Sequence, residues 1–258
     1  MTEIKRKYSW IPDHPDWRDH CFADYIAEQP ILEHLPPSVD LMATIPLEPV
    51  NQSSLGSCTG NSIAKNKQFV NIKMGLPDKS LPARLAIYYD ERKTEGTIKQ
   101  DAGAMIRDGF KVLANIGAAS ESLCPYNIAK FKNKPSAKYY REAAKHKAIQ
   151  YLRINNTNLA ELKSCIAEGY PFVFGFSVYE SFESNEVAKT GIAPLPAKNE
   201  KLLGGHAVLA VGFDDAMQRF KILNSWGKWG DNGFFTLPYE YLTNPNLADD
   251  FWTLRACS

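Results

Sequence analysis

The chain has 258 residues, enough for one large domain or two modest lobes, and its 44% hydrophobic and 23% charged content excludes a disordered polymer. Lys+Arg 30 against Asp+Glu 29 leave a net charge of +1, so no nucleic acid partner is expected. No apolar run approaches the about 20 residues of a membrane helix, and MTEIKRKYSWIPDHPDWRDH lacks a hydrophobic signal core, so no membrane and no Sec-type export are expected.

The cytoplasm is the favoured location, with leaderless secretion as the alternative, and a monomer is the expected state. Cys21, Cys58, Cys124, Cys165 and Cys257 are odd in number and lack a CxxC pair. That argues against a zinc knuckle or a disulfide framework, although a single disulfide would be compatible. His14, His20, His34 and His146 read as surface residues with no ligand spacing, so no metal and no other cofactor is expected.

Residues 1–34 are rich in Pro, Asp, His and aromatics without a sustained period, and read as an arm lying on the body. From Cys58 the pattern is helical. Ile63, Val70 and Met74 fall near one face, Phe69 flanks it, and Gly75-Leu76-Pro77 supplies a stop. A second helix is expected over Met105 to Leu113, ending near Gly117, and a third at about 136–148. Around 157–168, Asn158 and Glu161 form a capping-box pattern, with Leu159, Leu162 and Ile166 on one face and Gly169 as terminator.

Then the period becomes extended. YPFVFGFSVYESF (170–182), HAVLAVGFD (206–214), RFKILNSW (219–226) and NGFFTL (232–237) are β-branched and aromatic runs separated by turn residues. Residues 183–203 read as a long polar loop, a flap beside a site. The expected class is therefore α+β, with a mainly helical lobe over about 50–146 and a mainly β lobe over about 147–258.

Three residues could carry chemistry: Cys58 in PVNQSSLGSCTGNS, His206 in LGGHAVLAVGF and Asn224 in KILNSWGKWGDNGFF. A thiol is weakly ionised at neutral pH. A nucleophilic cysteine therefore needs a helix N-terminus, whose free N–H groups favour an anion, and an imidazolium partner. Cys58 stands where a helix should start, His206 can share its proton, and Asn224 can orient the ring. Gln52, six residues before the cysteine, can donate to a developing oxyanion together with the Cys58 N–H, and Gly56 and Ser57 leave room for a carbonyl. Taken singly, each has a plainer account: a small buried thiol, a core histidine, a turn asparagine. Their joint occurrence favours a site.

NQSSLGSC, GGHAV and NSWGKWGDNGFF resemble the three signature blocks of the papain-like cysteine peptidases, and LPPSVDLMATIPLEPVNQ and GAASESLCPYN resemble connecting segments of that family. The likeness covers about residues 35–258. His206 follows Cys58 by 148 residues, inside the about 130–150 typical of the papain type, and Asn224 lies slightly beyond.

The resemblance implies a two-lobe fold with a β-barrel-like second lobe and the site in the cleft between lobes. It also implies hydrolysis of peptide or protein substrates through an acyl-enzyme, with Gln52 as oxyanion donor, Cys58 as nucleophile, His206 as base and Asn224 orienting it. Trp226 would shield the His–Asn contact from water. Gly103 and Ala104 would pair with an extended substrate, and Met105 or Ile106 with Ala207 would shape an apolar S2 pocket. In three respects the chain departs from the family pattern. Leu55 replaces a disulfide cysteine; Thr59 replaces a tryptophan, which would loosen packing behind Cys58; and only the arm 1–34 stands in place of a long prosegment. Trp10, Tyr8 and Trp17 could anchor that arm over the cleft. An aminopeptidase, isopeptidase or acyltransferase on the same scaffold, or a non-catalytic peptide-binding module, are the alternatives.

Overall fold

The computed structural model describes residues 6–27 and 35–258; the remainder of the expected arm, His34 included, lies outside the described residues. Residues 6–16 run without helix, a turn at 17–19 follows in which the Asp19 N–H bonds the Asp16 carbonyl, and the chain leads into helix α1 (Phe22–Ala27). Strand β1 (Ser38–Asp40) follows, then the helices α2 (Cys58–Lys73), α3 (Arg84–Thr94), α4 (Ile106–Asn115) and α5 (Ala137–Ala143). The second half runs β2 (Ala148–Arg153), α6 (Leu159–Ala167), β3 (Phe172–Tyr179), α7 (Asn185–Thr190), β4 (Leu202–Asp214), β5 (Arg219–Leu223), β6 (Phe234–Pro238) and β7 (Ala248–Cys257).

Helix α2 is the axis of the molecule and is buried almost all round, packed on α3, α4, β3, β4 and β7. Its polar residues are therefore bonded inside: Asn66 Nδ2 donates to the Pro171 carbonyl at 3.2 Å and Thr59 Oγ1 to Glu91 Oε2 at 2.7 Å. Gly60 lets α3 come close, since a Cβ there would stand 2.8 Å from the Arg84 carbonyl oxygen. The helix stops where the Gly75 N–H bonds the Ile72 carbonyl and the Leu76 N–H reaches back to Asn71, with Gly75 at φ 67°, a Schellman closure.

The capping box at α6 is made in altered form. Asn158 accepts from the Ala160 N–H as expected, and Glu161 returns to Asn158 by accepting from its side-chain Nδ2 at 3.1 Å, while its other oxygen accepts from the Asn155 N–H and the Asn158 N–H goes to the Asn155 carbonyl. Helix α5 ends at Ala143, short of the expected 148, because β2 begins there. Segment 183–203 is not an unstructured flap: it carries α7 and is tied to β6 where the Ala193 N–H bonds the Thr236 carbonyl.

The strands form one seven-stranded antiparallel sheet in the order β2-β7-β3-β4-β5-β6, with β1 added beside β4. It does not close into a barrel. Its core-facing aromatics Phe172, Phe174, Phe176, Phe220, Phe251 and Trp252 are fully buried or nearly so, each contributing roughly 1.5–3 kcal/mol. The pairing register sets the site: β3 places Phe176 opposite His206 and Gly175 opposite Ala207 on one side, and Gly175 opposite Asp249 on the other. No helix among the described residues is long and apolar enough to cross a membrane.

Candidate active site

Cys58 is the first residue of α2. Ser57, at the cap, does not cap with its side chain: its hydroxyl bonds the Tyr126 hydroxyl at 2.6 Å and accepts from Asn61 Nδ2 at 3.0 Å. The leading amides of a 16-residue helix are thus left for an anion. The Cys58 sulfur takes hydrogen bonds from the Ala207 and Thr59 amides and lies 3.6 Å from Ser9 Oγ of the arm. Burial outweighs these donors and pushes the thiol up.

His206 lies on β4 next to Ala207, so packing α2 on β4 is what joins it to Cys58. Its Nε2 bonds Asn224 Oδ1 at 2.9 Å, and Nδ1 has no hydrogen-bond partner among the described residues. Asn224 Oδ1 also accepts from the Ser225 N–H at 2.8 Å, which fixes the amide. Trp226 stacks on the imidazole, with centroids 4.7 Å apart and planes inclined by 23°, covering the His206–Asn224 contact. Burial pushes His206 down to about 4; the Asn224 bond works against this, and the nearby Arg6 guanidinium reinforces it. With the arm in place, burial thus favours the uncharged form of both the thiol and the imidazole.

Gln52 arrives by a different route. Segment 50–52 is stitched to 225–227 through the Gln52 N–H to the Ser225 carbonyl at 2.8 Å and the Gly227 N–H to the Val50 carbonyl at 2.9 Å. Its Oε1 accepts from Ser225 Oγ at 2.6 Å and its Nε2 donates to the Leu55 carbonyl at 3.0 Å, leaving a second amide hydrogen. Leu55 is buried and all five cysteines are free. The loosening expected from Thr59 is absent: its side chain is buried and bonded to Glu91.

The arm threads this site. Trp10 pairs in the parallel sense with Ala104, whose N–H bonds the Ser9 carbonyl at 3.2 Å and whose carbonyl takes the Ile11 N–H at 3.1 Å; the Trp10 N–H bonds the Gly205 carbonyl at 3.0 Å. Gly103, at φ 82°, gives the arm room, because a Cβ would stand 1.9 Å from the Ser9 carbonyl oxygen. Gly56 likewise faces Ser9, 2.8 Å from where its Cβ would be. The Trp10 ring fills a hole walled by Gly175 and Gly205, where a Cβ would lie 2.0 and 2.7 Å from ring atoms, and its Nε1 donates to Asp250 at 2.9 Å. Tyr8 meets Trp226 edge-on at 6.2 Å, whereas Trp17 is 93% exposed and anchors nothing.

Beneath Trp10 lies a charged cluster missed in the sequence. Asp13 accepts from Trp252 Nε1 at 2.9 Å and Arg153 Nη1 at 3.3 Å, and Asp250 accepts from the Asp13 N–H at 2.7 Å and Arg153 Nη2 at 3.1 Å. Burial first, and then Asp13, pushes Asp250 up to about 7. The Trp10 ring meets Gly175 and Gly205 and its Nε1 meets Asp250, while the Ala207 N–H bonds the Cys58 sulfur, Met105 caps α4 and Ile106 is buried in the core. The adjacent Gly204-Gly205 and Asp249-Asp250 pairs were visible signals without a register to interpret them. No group of three or more His, Cys, Asp or Glu among the described residues could hold a metal ion.

Comparison with known proteins bears on family and fold. The sequence model of the family described as papain family cysteine protease matches residues 35–250. An uncharacterised peptidase C1-like protein of Acanthamoeba polyphaga mimivirus is 39% identical over 274 residues, covering 98% of this chain and 88% of that protein. The crystal structure of xylellain, a cysteine protease from Xylella fastidiosa, superposes with a TM-score of 0.87 at 41% identity, over 99% of this chain and 98% of that one. A procathepsin B from Trypanosoma congolense shares the fold, with a TM-score of 0.75 at 17% identity over 97% and 86% of the two chains.

Proposed function

The chain belongs to the papain family of cysteine proteases, and from that premise we propose that it is an endopeptidase working through an acyl-enzyme on Cys58. His206 Nδ1 takes the Cys58 proton, and the sulfur attacks the substrate carbonyl carbon. The carbonyl oxygen becomes an anion held by the Gln52 amide and the Cys58 N–H. Collapse breaks the C–N bond as His206 returns the proton to the departing amine. Water, deprotonated by the same imidazole, then cleaves the thioester. Asn224 holds the tautomer by accepting from Nε2–H. The observation that carries this is the His206 ring tied to Asn224 at 2.9 Å with its other nitrogen unpartnered among the described residues, one residue from the Ala207 amide that bonds a thiol at the head of a buried helix.

The arm is the gate in this proposal. Ser9 over Cys58 and Trp10 between Ala104 and Gly205 occupy the backbone partners that an extended substrate would use. They also exclude the water that a thiolate–imidazolium pair needs. Labelling of Cys58 by a thiol-directed epoxide, lost in Cys58→Ala, tests the nucleophile. A peptide library scored for internal against terminal cuts tests the endopeptidase assignment, and exclusive release of terminal residues would overturn it.

A further inference from the structure

Beside the nucleophile the arm fills a second seat, which the catalytic constellation does not use. The Arg6 guanidinium lies 4.3 Å from the Trp226 ring centroid and 5.6 Å from that of Trp229, and pairs with the Glu183 carboxylate. All three walls belong to the body. Phe182 holds both indoles from behind, with centroids 5.8 Å from Trp226 and 5.0 Å from Trp229, and Phe235 backs Phe182 at 5.1 Å. Two perpendicular aromatic faces with a carboxylate at their rim make a poor site for an apolar or anionic group and a good one for a planar cation, which gains from both the ring quadrupoles and the charge. The seat is packed from behind by Phe182 and takes Trp226, Trp229 and Glu183 from the body and not from the arm.

We infer that Trp226, Trp229 and Glu183 form a receptor for an arginine or lysine side chain on the departing segment of a peptide substrate, kept filled by Arg6 until the arm leaves. The side of the cleft follows from chemistry. Trp226 stacks on His206, the group that hands a proton to the departing amine, so the segment that departs runs past this wall. Arg6 precedes Ser9 by three residues, and an extended chain covers about 10 Å in that distance, which places the cationic residue second or third after the cleaved bond. A cation in this seat also opposes an imidazolium at His206, as Arg6 does, and so favours proton release to the amine.

The inference rests on the peptidase assignment, and the assay separates the two. Full-length protein is given internally quenched peptides that differ only in arginine or its neutral isostere citrulline at the second or third position after the cleaved bond. Wild type should turn over the arginine peptide about fivefold faster in kcat/KM, the range of a partly desolvated cation–π and ion-pair contact. Glu183→Gln, or Trp229→Leu as a second variant, should bring the ratio towards one, and rising salt should shrink it. Loosening of the arm by these variants changes both peptides equally and cancels in the ratio. A wild-type ratio near one, or one that survives both variants, overturns the receptor while leaving the peptidase intact. No cleavage of any peptide together with no epoxide labelling of Cys58, in wild type and in the arm-opened Trp10→Ala protein alike, overturns both.

Discussion

Replacing Trp10 by alanine should convert a closed chain into an open one. The indole fills the hole between Gly175 and Gly205 and donates to buried Asp250 at 2.9 Å. Truncating a fully buried tryptophan costs about 3–5 kcal/mol, and Trp10 is half-buried, so its packing is worth about 2 kcal/mol here. Losing the bond to a carboxylate adds about 1.5 kcal/mol, some of which water returns. A net shift of about 3 kcal/mol changes the ratio of docked to open arm about 150-fold. The second-order rate of epoxide labelling at Cys58 in the full-length chain reads that ratio directly, rising in proportion to the open fraction until the arm is mostly free. Trp10→Phe, which keeps a ring and removes the N–H, should give an intermediate gain. Identical labelling rates and melting temperatures in wild type, Trp10→Ala and Trp10→Phe would refute the gate and the energetic account of it together.

Asn224→Ala should lower kcat about a hundredfold with little change in KM, because the imidazole loses its fixed tautomer while the cleft is untouched; steady-state kinetics on a fluorogenic peptide check it. His206 has a folded pKa of about 4 against an ordinary 6.5, so the unfolded chain binds the extra proton between these values and stability from this group is lost as pH falls from 6.5 towards 4. Urea midpoints should show wild type losing up to about 3 kcal/mol relative to His206→Gln across that window. The difference between the two proteins isolates the histidine from Asp250 and Glu95, both raised to about 7, which act in the opposite sense. Thr59→Val should cost about 2 kcal/mol in the same assay, since among the described residues Glu91 Oε1 already lacks a partner and Oε2 would lose its one side-chain donor.

The proposed catalytic constellation was legible because each member sits in a local pattern with its own chemical reason: a cysteine at a helix start, a histidine opening the apolar run of β4, which itself begins earlier at Leu202, and an asparagine after a strand. Strands β3 to β6 were legible because alternating and aromatic runs report extended backbone. Helix α3 was not, since RLAIYYDERKT buries Arg84, Asp90, Glu91 and Arg92, and a helix surrounded by protein shows no polar face. Strand β7 escaped for a related reason: ADDFWTLRAC carries charges that look solvent-facing until Arg153 and Glu168 meet them from other elements. The expected face of α2 holds at Ile63, Phe69 and Val70, all buried, but the helix is central and buries its polar residues as well, and Met74 is its 40% exposed C-cap.

Sequence alone determined which groups are present and what each could do, since side-chain chemistry and short-range backbone preferences are local properties. Only the tertiary structure decided which groups meet. Asp250, Gly175 and Gly205 become one pocket through the register of β7, β3 and β4, and Glu183 and Trp226 become one cation seat through packing between segments more than forty residues apart. That step depends on summed burial and pairing across the whole chain, and a one-dimensional pattern holds no record of it until the sheet is assembled.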